Sequence, residues 1–264
     1  MKESTDRSAG PVLAADNISV RLGGIQILQH LSLQVERGER RAIVGPNGAG
    51  KTTMFNVLTG VLRPQEGHVA LHGRDVTRWG VSRRATCGMA RTFQITNLMH
   101  TMTVEENVVL ALAASRPAVR RDLFRPLRSS SLDRPAAELL DRWGLGDRRH
   151  LPVHALSYGE RRELELVLAV AAEPDVLLLD EPAAGLSPSE TARVCDLVER
   201  LPRETSIVLI EHDLDMALAL SDTVTVMSEG SIRGTGSADD PAISALVEEV
   251  YVGAVDQEDA DVAG

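Results

Sequence analysis

Gly45-Pro46-Asn47-Gly48-Ala49-Gly50-Lys51-Thr52-Thr53 fills the pattern G-x-x-x-x-G-K-[ST] without substitution. Glycines in such a run let backbone N–H groups turn toward a phosphate, and a helix N-terminus behind them adds partial positive charge. Gly45, Asn47, Gly48, Gly50, Lys51, Thr52 and Thr53 are therefore expected to contact a nucleotide. Lys51 would reach the β- and γ-phosphates, and the Thr52 hydroxyl would ligate Mg²⁺. An ordinary glycine turn is the alternative. The neighbours decide against it: Arg41-Ala42-Ile43-Val44 reads as a buried strand, and Met54 to Thr59 reads as a helix ending at Gly60.

Val176-Leu177-Leu178-Leu179-Asp180-Glu181-Pro182 reads as a buried strand ending in two adjacent carboxylates. Ligands sit at the carboxyl ends of strands in open α/β sheets. There Asp180 could hold Mg²⁺, directly or through water, and Glu181 could deprotonate an attacking water. Alone, an acidic turn would explain the pair equally well; a phosphate loop upstream favours the catalytic reading. Leu156-Ser157-Tyr158-Gly159-Glu160 opens a long helix, so Ser157 is either a helix cap or a hydroxyl aimed at an anion.

The supports for these residues follow from the pattern along the chain. Strands are expected at Val12 to Leu22, Leu31 to Val35, Arg40 to Val44, His68 to His72, 90–94, Val176 to Asp180 and Ser206 to Ile210. Helices are expected at Val104 to Ala114, 136–144, 159–172, about 188–200 and 213–220, with Thr103 and Glu106 forming a capping box. Residues 115–135 are rich in arginine, serine and proline, which suits a solvated connector; a patch near anionic lipid is the alternative. Residues 1–10 read as disordered, and the acidic end from Asp256 as a loose tail.

With 264 residues, 43% of them apolar, the chain has ample material for a core. A net charge of −10 argues against a general nucleic-acid binder. Lys51 is the only lysine besides Lys2. Cys87 and Cys195 match no metal or redox spacing and read as reduced thiols. No apolar run approaches a membrane span, and the opening residues are not expected to form a signal peptide. A membrane role would have to come through partner chains.

The phosphate loop, Gln94, Leu156-Ser157-Tyr158-Gly159, Asp180-Glu181 and His212 after Val208-Leu209-Ile210-Glu211 stand in one order. In that order the chain resembles the ATP-binding subunit of ABC transporters over residues 12 to about 253. The resemblance implies an α/β P-loop NTPase core of ABC ATPase type, with an antiparallel β subdomain and a helical insert. The nucleotide-binding domain would span residues 11–255, with the insert at about 95–170 and the acidic tail at 256–264.

The same resemblance implies two such subunits facing head to tail around two ATP molecules. Ser157 and Gly159 of one would contact the γ-phosphate held by Gly48, Lys51 and Thr52 of the other. Gln94 would sense Mg²⁺ and the attacking water and link the site to a transmembrane partner. His212 would bond the γ-phosphate beside Glu181.

Arg91-Thr92-Phe93-Gln94, Met102 to Asn107, Glu181 to Leu186 and Tyr251-Val252-Gly253 are similar to one branch, the ATPases of branched-chain amino-acid importers with their urea and amide relatives. The implied partners are a second ATPase subunit (a copy or a paralogue), transmembrane permeases and, indirectly, an extracytoplasmic substrate-binding protein, with no nucleic acid. The implied location is peripheral, on the cytoplasmic face of the membrane. A lipid or lipopolysaccharide exporter ATPase and a soluble, non-transport ABC ATPase are the rival readings. Leu22 stands where the branch has a base-stacking phenylalanine, and Ser187 where the superfamily has aspartate. Tyr158 and Glu160 replace the commoner glycine and glutamine.

Overall fold

The computed structural model of the chain describes residues 10–92, 98–115 and 131–262. Its first strands, β1 (Leu13–Leu22) and β2 (Ile25–Val35), form an antiparallel hairpin. They turn on Gly23 and Gly24, both left-handed at φ 57° and 87°. Positive φ at both central residues is the tight-hairpin geometry that glycine permits. The expected strand from Leu31 thus begins six residues earlier, at Ile25.

Next come β3 (Arg40–Val44) and helix α1 (Lys51–Thr59). They are followed by β4 (Glu66–Leu71), β5 (Arg74–Asp75), a short helix α2 (Val81–Ala85) and β6 (Met89–Arg91). The four strands β2-β1-β4-β5 form an antiparallel sheet, as the β subdomain requires. The expected strand at 90–94 is β6 only as far as Arg91; Phe93 and Gln94 lie outside the described residues.

Three helices follow: α3 (Val104–Ser115), α4 (Asp133–Arg142) and α5 (Tyr158–Ala171). The capping box at α3 is present. Thr103 N donates to Glu106 Oε2 at 2.8 Å, and Glu106 N donates to Thr103 Oγ1 at 3.1 Å. Most of the arginine-rich stretch is outside the described residues, but its end belongs to α4, where Arg134 pairs with Glu138 at 2.8 Å.

The second half alternates strand and helix: β7 (Val176–Asp180), α6 (Pro188–Glu199), β8 (Ser206–Ile210), α7 (Leu214–Ala219), β9 (Thr223–Ser228) and β10 (Ser231–Ser237). Helix α8 (Pro241–Val262) closes it, and it carries the segment expected to be a loose tail as helix through residue 262. A six-stranded sheet runs β10-β9-β3-β8-β7-β6, parallel except for the β9–β10 hairpin. Every residue of β3, β7 and β8 is buried, because the sheet is covered on both faces. Alternate side chains serve opposite cores. Val176, Leu178, Val208 and Ile210 join α1 and the antiparallel sheet. Leu177, Leu179, Ile207 and Leu209 join α3, α4, α5 and α6.

Candidate functional site

In the sheet order β3-β8-β7-β6, four parallel strands end at the same edge, so their following loops are neighbours. The phosphate loop follows β3, Glu211-His212 follows β8, Asp180-Glu181 closes β7, and Thr92 follows β6. Topology alone gathers motifs far apart in sequence.

The phosphate loop needs its glycines for space. Gly45 is buried, and a Cβ there would run into the Met227 carbonyl oxygen; a Cβ on Gly50 would meet Leu28 and the Ile27 carbonyl. Gly45, Gly48 and Gly50 hold positive φ, at 153°, 77° and 95°. Lys51 folds back over the loop, and its Nζ donates to Gly45 O at 2.5 Å and Pro46 O at 2.8 Å. Burial pushes its pKa down, while Glu181 and Asp180 push it up, so both carboxylates act electrostatically on the lysine. Thr52 is exposed on the first turn of α1.

Asp180 is fully buried. Arg91 Nη2 donates to its Oδ2 at 2.7 Å, and Arg91 Nη1 donates to Asn56 Oδ1 of α1 at 2.7 Å. The other carboxylate oxygen, Oδ1, is buried without a hydrogen-bond partner. An orphaned buried carboxylate oxygen is unfavourable unless a donor or cation completes it, so this residue fits a divalent ion. No group of three or more His, Cys, Asp or Glu side chains with metal-holding geometry occurs among the described residues.

Glu181 holds φ at 48°, a left-handed conformation uncommon outside glycine. Its amide donates to Ile210 O at 2.9 Å, which pins it beside β8. Its Oε1 lies 2.8 Å from His212 Nε2. Glu211 secures both segments: its two oxygens accept from Ala183 N at 2.9 Å and His212 N at 3.1 Å. Burial raises the Glu211 pKa, and those two amides lower it in part.

Ser157 caps α5. Its hydroxyl accepts from Glu160 N at 3.2 Å, and its own amide donates to Glu160 Oε2 at 2.8 Å. The cap uses an oxygen lone pair, so the hydroxyl proton is still a donor for an anion. Gly159 is buried, and a Cβ there would strike the Glu190 side chain. None of the hydrogen bonds of Ser157 or Gly159 among the described residues reaches the phosphate loop. The same helix does touch the carboxylate segment: Arg162 Nη2 donates to Glu181 O at 3.2 Å, and the Tyr158 hydroxyl donates to Ala184 O at 3.2 Å. Ser187 forms a second capping box with Glu190 at the start of α6.

Lys51, Asp180, Glu181 and His212 thus share one edge, Ser157 and Gly159 make no hydrogen bond to the phosphate loop among the described residues, and Gln94 is outside those residues. Leu22, the last residue of β1, is exposed at the hairpin tip beside Ile25, which opens the strand whose Leu28 lines Gly50. The sequence reading assigned no role to Arg91, Arg162, Glu211 or Tyr251. Arg91, Glu211 and Tyr251 each stand inside a motif quoted above, which is the signal the sequence offers for them; Arg162 has none. Cys87 and Cys195 are free thiols.

A parallel sheet with a phosphate loop after one strand and paired carboxylates closing another defines a P-loop nucleotide-hydrolysing protein. The ABC transporter family model matches residues 28–184, more than half the chain. The high-affinity branched-chain amino acid transport ATP-binding protein LivG of Salmonella typhimurium is 35% identical over 251 residues, covering 92% of this chain and 98% of LivG. The corresponding BraF protein of Pseudomonas aeruginosa is 32% identical over 250 residues, with the same coverage of 92% and 98%. Among solved structures, the ADP conformation of MJ1267, an ATP-binding cassette of an ABC transporter, superposes with a TM-score of 0.79 at 28% identity. That match covers 93% of this chain and 100% of MJ1267. The chain belongs to the ABC transporter ATP-binding family and is an ABC ATPase.

Proposed function

We propose that this chain is the ATP-hydrolysing subunit of a bacterial importer for branched-chain or related amino acids, working at the cytoplasmic face of the membrane. The observation that carries the chemistry is the gathering of Lys51, Asp180, Glu181 and His212 at one sheet edge. The relatives LivG and BraF support the transport role. No described helix is long and apolar enough to cross a membrane, so permease chains would provide the pathway.

In this reading the loop amides and Lys51 hold the β- and γ-phosphates, with Lys51 leaving its two carbonyls to do so. Thr52 and the free oxygen of Asp180 are the protein groups that would hold Mg²⁺, and the family resemblance adds Gln94 as a third. The ion would neutralise phosphate charge and favour departure of ADP. Glu181 takes a proton from water, the water oxygen bonds to the γ-phosphorus, and the bond to the β-phosphate oxygen breaks, releasing ADP and phosphate. His212, already on Glu181, orients that carboxylate and bonds the γ-phosphate. Ser157 and Gly159 complete the site from a second ATPase subunit, a copy or a paralogue. Leu22 offers the base apolar contact only.

Reconstitution tests the transport role. The chain is placed in proteoliposomes with permease chains and an extracytoplasmic binding protein from the same organism. ATP inside should drive uptake of leucine, isoleucine or valine, and Lys51→Ala should abolish it. Hydrolysis without uptake of any branched-chain amino acid or amide relative would overturn the substrate class.

A further inference from the structure

We propose that Tyr251, on α8, is a positioning residue of the nucleotide site and holds the first peptide of the phosphate loop. This rests on the reading that the loop binds nucleotide phosphate. The ladder of β3 ends at Val44, paired with Val226. Beyond it, the N–H and C=O of buried Gly45 need partners that are not strands. The Tyr251 hydroxyl supplies both. It donates to Gly45 O at 3.0 Å and accepts from Gly45 N at 3.2 Å, across 206 residues of sequence.

Packing fixes that hydroxyl. Ile243, Val247 and Tyr251 recur every fourth residue on one face of α8 and pack on Ala42, Val44, Val224 and Val226. The phenol therefore reaches the loop from an anchored helix.

The Gly45 carbonyl has two donors, Tyr251 and Lys51. Lys51 must leave it to reach a phosphate. With Tyr251 in place the buried carbonyl keeps a donor when the lysine goes, so release is less unfavourable. Without the hydroxyl, the carbonyl depends on Lys51 and holds it in the empty-site position. Tyr251 thus favours nucleotide binding through Lys51, without touching the nucleotide.

Tyr251→Phe keeps the ring and removes the hydroxyl. Equilibrium binding should weaken about threefold to tenfold, by the same factor for ATP and ADP, since both bring a β-phosphate. The KM for ATP should rise by more than kcat changes. Hydrogen exchange in the nucleotide-free protein should speed up at the Gly45 amide but not at Ala42, one turn of the ladder inside β3. Unchanged affinity for both nucleotides would overturn the proposal. So would equal acceleration at Gly45 and Ala42, because it would mark general loosening of the sheet. Lys51→Ala is the control: wild-type affinity there would remove the loop as the nucleotide site and this inference with it, whereas lost binding in Lys51→Ala beside an unaltered Tyr251→Phe would refute this inference alone.

Discussion

At the scale of single residues, the site is held by charges that rarely sit where they sit here. Asp180 is fully buried, and its partner Arg91 is nearly so, with 8% of its side chain exposed. Removing one member leaves the other charged and desolvated, which typically costs roughly 3–5 kcal/mol. Arg91→Met is therefore expected to lose about that much stability in urea unfolding. Arg91→Met with Asp180→Leu should lose less than the two single losses added together, by about 0.5–3 kcal/mol. Simple additivity would show that the two side chains do not act as a pair. Asp180, Glu181 and Lys51 were legible in the sequence because each belongs to a contiguous motif. Arg91 as the partner of Asp180, and Glu211 as the clamp on two loops, were not. Their roles arise from β7 lying between β6 and β8, and no local spacing encodes strand order.

At the scale of elements, the phosphate-loop helix is fixed at both ends. Its C-terminus meets the guanidinium of Arg84, on α2, buried without an ion-pair partner among the described residues. Arg84 donates to the carbonyls of Val57, Leu58, Val76, Thr77 and Trp79, and burial takes its pKa down to about 10. A cation at a helix C-terminus is favoured by the orphan carbonyls and the helix dipole. Arg84→Met would bury several carbonyls without donors, each worth about 1–3 kcal/mol. We expect a loss of at least 3 kcal/mol in urea unfolding, with the exchange-protected amides of α1 affected first. A loss under 1 kcal/mol would mean that water replaces the guanidinium. The buried parallel strands were legible to the residue, since β7 and β8 are four-residue apolar runs joined to one polar residue and bounded by turns. The helix α2 was not, because five residues carry no period. The hairpin of β9 and β10 was missed although Thr223-Val224-Thr225-Val226 alternates, and α8 hides behind an acidic end that composition reads as loose.

At the scale of the whole molecule, the parallel sheet separates two cores, one with α1 and the antiparallel sheet, the other with α3 to α6. Both cores meet at the strand ends that carry Lys51, Asp180, Glu181 and His212. Ser157 and Gly159, on the helical side, have no bond to the phosphate loop among the described residues. The overall architecture was readable because motif order implied the family. Gln94 remains a proposal drawn from that order alone. Glu181 is the proposed base for ATP hydrolysis at this edge. The direct test is phosphate release from Mg-ATP by wild type and Glu181→Gln at equal nucleotide occupancy. The variant should bind ATP and hydrolyse it about 10²–10⁴-fold more slowly; near-normal turnover would rule out Glu181 as the base.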